Sequence, residues 1–261
     1  PGDTALVVRG GKFGERWTEL CEAYGRPVVN LDVAWGEAVS WELLSRALKG
    51  HPEVKVVYTQ LCETSTGVLN DIATLAPAVH QAGALLVVDG ISAVGAVEFR
   101  MDDWGVDGLV VGSQKALMAP PGLATATLSP AAWARAKANP SRGYYFDLLY
   151  NQKGLAAYDP VFTPAITLFE ALRVGLRLLK AEGMEQVWAR HRVMAEGVRA
   201  GVRAMGLALY PKRPSDSLTA ISLPEGVDGE KVVKMLRDEE GLIIAGGQGK
   251  LKGKLCRIAH M

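Results

Sequence analysis

Lys115 stands alone in VVGSQKALMAPPGLA (110–124), where it is the only charged residue between Asp107 and Arg135. It closes a strand-like run, DGLVVGSQ (107–114). In the same way Asp89 closes ALLVVDG (84–90), and the hydroxyl-rich ETSTG (63–67) follows KVVYTQ (55–60). If these runs are strands of one parallel sheet, an amine, a carboxylate and hydroxyls meet at its carboxyl edge, where open α/β sheets bind ligands. A lysine and a carboxylate in one apolar crevice suit pyridoxal 5'-phosphate. The lysine bonds the aldehyde, and the carboxylate keeps the ring nitrogen protonated. Burial disfavours the ammonium form, which prepares Lys115 as a nucleophile and later as a proton carrier. Taken singly, each residue has a structural explanation. Asp89 suits a helix N-cap, ETSTG a Ser/Thr turn, and Lys115 a side chain snorkelling to water. All three at strand ends together favour a site.

The elements that must position them alternate through the first half. The pattern predicts strands over 4–10, 28–32, 55–60, 84–90 and 107–114, with helices over 13–25, 41–50 and 71–83. Continuous Val/Leu runs, without apolar/polar alternation, imply strands buried on both faces. The fold class expected is α/β, a mostly parallel sheet with helices on both faces. The second half changes character. Two long amphipathic helices (163–183 and 184–206) precede LTAISLPEG, DGEKVVKMLRDEEG and KLCRIAH, a strand–helix–strand tail. The expected division, near Glu182, is a large domain over 1–182 and a small C-terminal α+β domain over 183–261.

Composition narrows the alternatives. The chain has 261 residues, 49% hydrophobic and 22% charged, with a net charge of +1. It carries neither a basic nucleic-acid footprint nor an acidic tail. Cys21, Cys62 and Cys256 are odd in number and far apart, and they read as reduced thiols of a cytoplasmic protein. No apolar run is long enough to span a bilayer. His51, His80, His191 and His260 are scattered without metal-ligand spacing, and His80 and His191 are expected on helix surfaces. GGQGKLKGK (246–254) fails the spacing of a phosphate-binding P-loop. The chain opens PGDTALVV without an initiator Met and ends within LCRIAHM, so a piece of a longer polypeptide is expected.

The ordered segments ETSTGVLND (63–71), VVDGISAVGAVEFRMDDWGVDGLVVGSQKALMAPPGLA (87–124) and GGQGKLKGKLCRIAHM (246–261) resemble class V aminotransferases, most closely the alanine/serine–glyoxylate (serine–pyruvate) group. The resemblance runs through nearly the whole chain. It implies a pyridoxal-phosphate transaminase of fold type I, acting on small amino acids and 2-oxo acids and working as a homodimer. Lys115 matches the lysine bonded to the cofactor aldehyde, and Asp89 the partner of the pyridine nitrogen. Gln114 matches a residue near the phosphate, and Thr64 a hydroxyl that touches the ring or its phenolic oxygen. Phe13, in GGKFGERW, falls where the family stacks an aromatic on the ring. Arg257, in CRIAHM, matches the arginine that grips the substrate carboxylate, for which a planar fork is suited. Thr163, in FTPAI, lies near where the family reaches across to the partner's cofactor phosphate.

Three departures accompany the resemblance. The family's Gly/Ser-rich phosphate turn, which uses a helix N-terminus, is not visible, and neither is the continuation beyond Arg257. Leu61 stands where many relatives carry a polar residue, and a change in the site's hydrogen bonding is expected there. A non-catalytic or split-chain subunit is therefore the alternative to the transaminase. Cysteine desulfurisation ranks third, because Cys256 lies inside a strand-like run and Gln114 precedes the lysine where desulfurases usually have histidine.

Overall fold

A computed structural model describes residues 3–139 and 143–261. The chain begins with β1 (Thr4–Arg9), α1 (Lys12–Ala23), β2 (Val28–Asp32), α2 (Trp41–Gly50) and β3 (Val54–Gln60). A small hairpin, β4 (Cys62–Glu63) and β5 (Val68–Leu69), leads to α3 (Ile72–Gln81), β6 (Leu85–Asp89), β7 (Gly108–Gly112) and β8 (Ala124–Leu128). The main sheet runs β2-β1-β3-β6-β7-β8, parallel throughout except for the antiparallel edge strand β8. Leu6, Val8, Val57, Leu86 and Val88 are all buried, and they join residues from α2 and α3 in the main core. Local chemistry marks the helix starts. Ser40 caps α2 by accepting from Leu43 N–H, and Asp71 caps α3 by accepting from Thr74 N–H.

Four helices follow: α4 (Pro130–Ala138), α5 (Leu148–Ala156), α6 (Ile166–Glu182) and α7 (Met184–Ala204). A second sheet, ordered β11-β12-β10-β9, is antiparallel. Its strands are β9 (Ala208–Leu209), β10 (Leu218–Ser222), β11 (Ala245–Gly246) and β12 (Leu255–Ala259), with α8 (Gly229–Glu240) between β10 and β11. This sheet packs onto the turn of the β4–β5 hairpin. Gly67 has φ 77°, and a Cβ there would stand 3.0 Å from the Ala220 side chain. A residue other than glycine would be strained by backbone and neighbour alike.

The observed elements follow the predicted ones closely from β1 to β7, with three corrections. The last predicted strand is shorter: β7 ends at Gly112, so Gln114 and Lys115 lie in the turn beyond it. Ser113 pulls the chain out of the sheet, its hydroxyl donating to Pro120 O at 2.7 Å and accepting from Leu123 N–H at 3.3 Å. The edge strand β8 and helices α4 and α5 have no counterpart in the sequence reading. β8 is largely exposed, and α5 buries no residue, so neither leaves an apolar signature. His191 is buried, not on a helix surface; its Nδ1 lies 2.8 Å from Val187 O on the inner face of α7. His80 is exposed and bonds Asp107 through Nε2 at 3.1 Å. Among the described residues no helix is long and apolar enough to cross a membrane.

Candidate active site

Four adjacent strands, β1, β3, β6 and β7, deliver side chains to one edge of the sheet, as the carboxyl ends of a parallel sheet do. From β1 the chain turns at Gly10 and Gly11 into α1, whose second residue is Phe13. From β3 it enters the β4–β5 hairpin, which bears Thr64. β6 ends on Asp89, paired in register with Gln60. Beyond β7 comes the turn with Gln114 and Lys115.

The hairpin turn is the hub. Glu63 is 1% exposed and accepts four hydrogen bonds, from Phe13 N–H (3.3 Å), Gly14 N–H (2.9 Å), Ser65 N–H (3.1 Å) and the Ser65 hydroxyl (2.6 Å). Helix α1 has no cap of its own at Gly11, so a carboxylate from a distant turn satisfies the orphan donors of its first turn. Ser65 Oγ completes the cap by accepting from Lys12 N–H at 2.9 Å. Glycine is required at position 11 for steric reasons. A Cβ would lie 2.4 Å from atoms of both Glu63 and Ser65. Burial pushes the Glu63 carboxyl up, and these donors oppose that.

Thr64 projects the other way. Its hydroxyl and that of Ser92, three residues past Asp89, are 2.5 Å apart. Its carbonyl accepts from Arg257 Nη1 at 2.9 Å, and Arg257 Nε and Nη2 donate to Gly246 O at 3.1 and 2.9 Å. Arg257 is 9% exposed and forms no ion pair among the described residues; its largest charged influence is Glu63. Burial pulls the guanidinium down from its ordinary value. Asp89 is half-buried. Ile91 N–H donates to its Oδ1 at 3.0 Å and Trp17 Nε1–H to its Oδ2 at 3.2 Å. Burial raises its carboxyl, against those two bonds and the more distant Arg16.

Lys115 is half-buried, not enclosed as expected, and its amine makes no hydrogen bond or ion pair among the described residues. Its turn is set by Met118 N–H donating to Lys115 O at 2.9 Å and by α6 behind it. A Cβ at Gly175 would stand 2.2 Å from the Leu117 carbonyl oxygen. Gln114 is exposed and folds back toward Gly112. Thr163 is exposed in the loop before α6 and, among the described residues, has no side-chain hydrogen bond to the other candidates. It adjoins an aromatic surface on which Tyr145 and Phe162 lie 4.7 Å apart, and Phe146 is 78% exposed. Leu61 does not reach the crevice; its side chain is in the core, and its N–H donates to Asp89 O at 2.9 Å. Cys256 is 2% exposed within β12, and burial raises its thiol, which suits packing and not nucleophilic attack.

Sequence reasoning overlooked Trp17, Ser92 and the capping role of Glu63. Trp17 stands one helical turn from Phe13 on the same face, a spacing that could have pointed to it. The partners of Ser92 and Glu63 are set by the fold and leave no local signal.

Comparison with known proteins agrees with this geometry. The model of the class-V aminotransferases matches residues 1–256. The chain belongs to that family, whose members are pyridoxal-phosphate enzymes. It is 40% identical over 269 residues to the L-aspartate–glyoxylate aminotransferase of Paracoccus denitrificans, covering 100% of this chain and 68% of that protein. It is 38% identical over 266 residues to a Synechococcus protein named soluble hydrogenase, small subunit, covering 100% and 69%. The crystal structure of an alanine–glyoxylate aminotransferase from Nostoc superposes with a TM-score of 0.96 at 32% identity, covering 100% of this chain and 70% of that one.

The residues present fit the cofactor. Among the described residues, a half-buried carboxylate without an ion-pair partner ends β6, a lysine without a partner follows the adjacent β7, and a buried guanidinium without an ion-pair partner is bonded to the β4–β5 turn. Unpaired charge of this kind is costly unless a ligand completes it.

Proposed function

We propose that this chain carries the site of a transaminase that moves an amino group from a small amino acid, such as alanine or serine, to a small 2-oxo acid, glyoxylate or pyruvate. The observation that carries the reading is the trio of unpaired groups, Asp89, Arg257 and Lys115. When bound, pyridoxal phosphate supplies an aldehyde for the amine and a protonated ring that draws off the electrons left by the departing α-proton. Asp89 holds the proton on the ring nitrogen by charge pairing. Lys115 Nζ would hold the aldehyde and, when free, would take the proton from the substrate's α-carbon. Arg257 orients the substrate through its carboxylate, its own fork being held by the Thr64 and Gly246 carbonyls. Phe13 would cover the ring, Thr64 would donate toward its oxygen, and Gln114 would turn toward the phosphate. In this reading residues 1–182 form the cofactor-binding domain, and residues 183–261 the smaller domain that brings Arg257.

Thr163 and its aromatic surface are read as facing a second copy of the chain, so that the working form is a homodimer. A cytoplasmic location is the reading that three free cysteines support, and fractionation of the native source tests it. The activity is tested on the purified chain. It should bind pyridoxal phosphate with a yellow colour, and borohydride should fix the cofactor to Lys115 in a peptide map. Lys115→Ala should lose at least about a thousandfold in rate, as removal of a covalent catalyst does. A Lys115→Ala protein that transaminates at the parent rate would sink the assignment. A colourless wild-type chain that forms no adduct would favour the split-chain reading, which the greater length of the relatives keeps in view.

A further inference from the structure

Among the described residues Asp89 has no ion-pair partner, although a half-buried carboxylate usually has one. Its two hydrogen bonds come from neutral donors, one of them local (Ile91 N–H) and one from α1, the indole of Trp17. Among the described residues the charged group acting on it is Arg16, which is exposed and lies over Phe13 with its guanidinium carbon 5.2 Å from the ring centroid. Trp17 is fixed by more than this bond. Its ring stacks on Tyr58 of β3 at 4.7 Å and 17° between planes. The helix beneath it is seated closely, since a Cβ at Gly14 would meet Val8 O at 2.6 Å and Arg9 Cα at 2.9 Å. The indole is thus aimed by stacking on one side and by close helix–sheet contact on the other.

We propose that Trp17 is a positioning residue for Asp89: its indole N–H orients the carboxylate and keeps it ionised for the ring nitrogen, a role that rests on the transaminase reading above. The choice of donor matters chemically. An indole N–H can only donate, so it stabilises the charged carboxylate and cannot accept a hydrogen bond from the neutral acid. Burial pushes Asp89 toward the neutral form, and a neutral acid cannot charge-pair with a protonated pyridine. Removing the indole removes one of the two hydrogen bonds that oppose burial. A lysine in its place would neutralise the carboxylate and weaken its pull on the ring proton.

The test separates hydrogen bonding from packing. Trp17→Phe keeps an aromatic on Tyr58 and deletes the donor; Tyr58→Leu keeps the donor and deletes the stack. The carboxyl resonance of Asp89, labelled with carbon-13 and assigned by Asp89→Asn, is titrated in the full chain without cofactor. In Trp17→Phe it should titrate at higher pH than in the parent, and in Tyr58→Leu it should stay closer to the parent. Pyridoxal phosphate should bind about tenfold more weakly to Trp17→Phe, the scale of one hydrogen bond to a charged group. An unchanged Asp89 titration in Trp17→Phe overturns the proposal, and so does an equal rise in Tyr58→Leu. Uptake of the cofactor by the parent chain decides the transaminase reading separately, because the titration needs no cofactor.

Discussion

At the scale of single residues, the structure adds partners to groups that the sequence could only name. Glu63 lies inside the quoted ETSTG motif, yet its importance comes from four donors, two of them on α1. Its two oxygens divide the work: Oε2 accepts from Gly14 N–H, and Oε1 takes the other three. In Glu63→Gln an amide N–H₂ must face at least one of those donors. A loss of about 1–3 kcal/mol in unfolding free energy is expected from urea denaturation, the cost of one buried unsatisfied group. Phe13 should also lose its fixed position, visible as weaker cofactor binding. A Glu63→Gln protein as stable as the parent would mean that α1 does not depend on this cap. Asp89 and Lys115 could be singled out from their neighbours in sequence, because a charge at the end of an apolar run is a local anomaly. Trp17 offers only its one-turn spacing from Phe13, because a tryptophan on an amphipathic helix is otherwise ordinary.

At the scale of elements, the parallel strands were legible because Val/Leu runs between glycine-ended helices have few other uses. Strands β1, β2, β3 and β6 fall within a residue of their predicted limits. β7 does not, because Ser113 and not hydrophobicity ends it, through bonds to Pro120 and Leu123 that the sequence does not display. Helix α6 was expected as an amphipathic element, but its task is to hold the lysine turn at Gly175. In Gly175→Ala the new Cβ cannot coexist with the Leu117 carbonyl at 2.2 Å, so helix and turn must part. We expect a net destabilisation of about 1–3 kcal/mol from overpacking, although alanine is the better helix former by about 1 kcal/mol. Cofactor affinity should fall with it, since the displaced turn carries Lys115. Thermal melts and a cofactor titration of the same variant check both. Unchanged affinity would mean that α6 does not set the turn.

At the scale of the whole molecule, two sheets meet at the site. The hairpin of residues 62–69 joins them: Gly67 packs on Ala220, its carbonyl accepts from Ser215 N–H at 2.9 Å, and the Thr64 carbonyl holds Arg257. The aromatic surface beside Thr163 is the other large-scale feature. Tyr144, Tyr145 and Phe146 are each more than half exposed, an apolar concentration that a solvated face rarely carries. Sedimentation at micromolar concentration should give twice the 27.9 kDa chain mass. Tyr145→Ser with Phe146→Ser should shift the equilibrium toward the single chain. A parent protein that sediments at 27.9 kDa across that range would remove the homodimer reading.

The sequence by itself singled out the residues proposed to carry chemistry and determined the alternation of strand and helix that lines them up. Both are local properties, fixed by residue type and by periods of two and 3.6 residues. It also carried enough ordered motif to define the family. The tertiary structure alone decided what each of those residues touches. Trp17 meets Asp89 across 72 residues, Gly14 meets Glu63 across 49, and Arg257 meets Thr64 across 193. Such pairings cost chain entropy to close and leave no periodic trace. They set the hydrogen-bond partners of Asp89, Glu63 and Arg257.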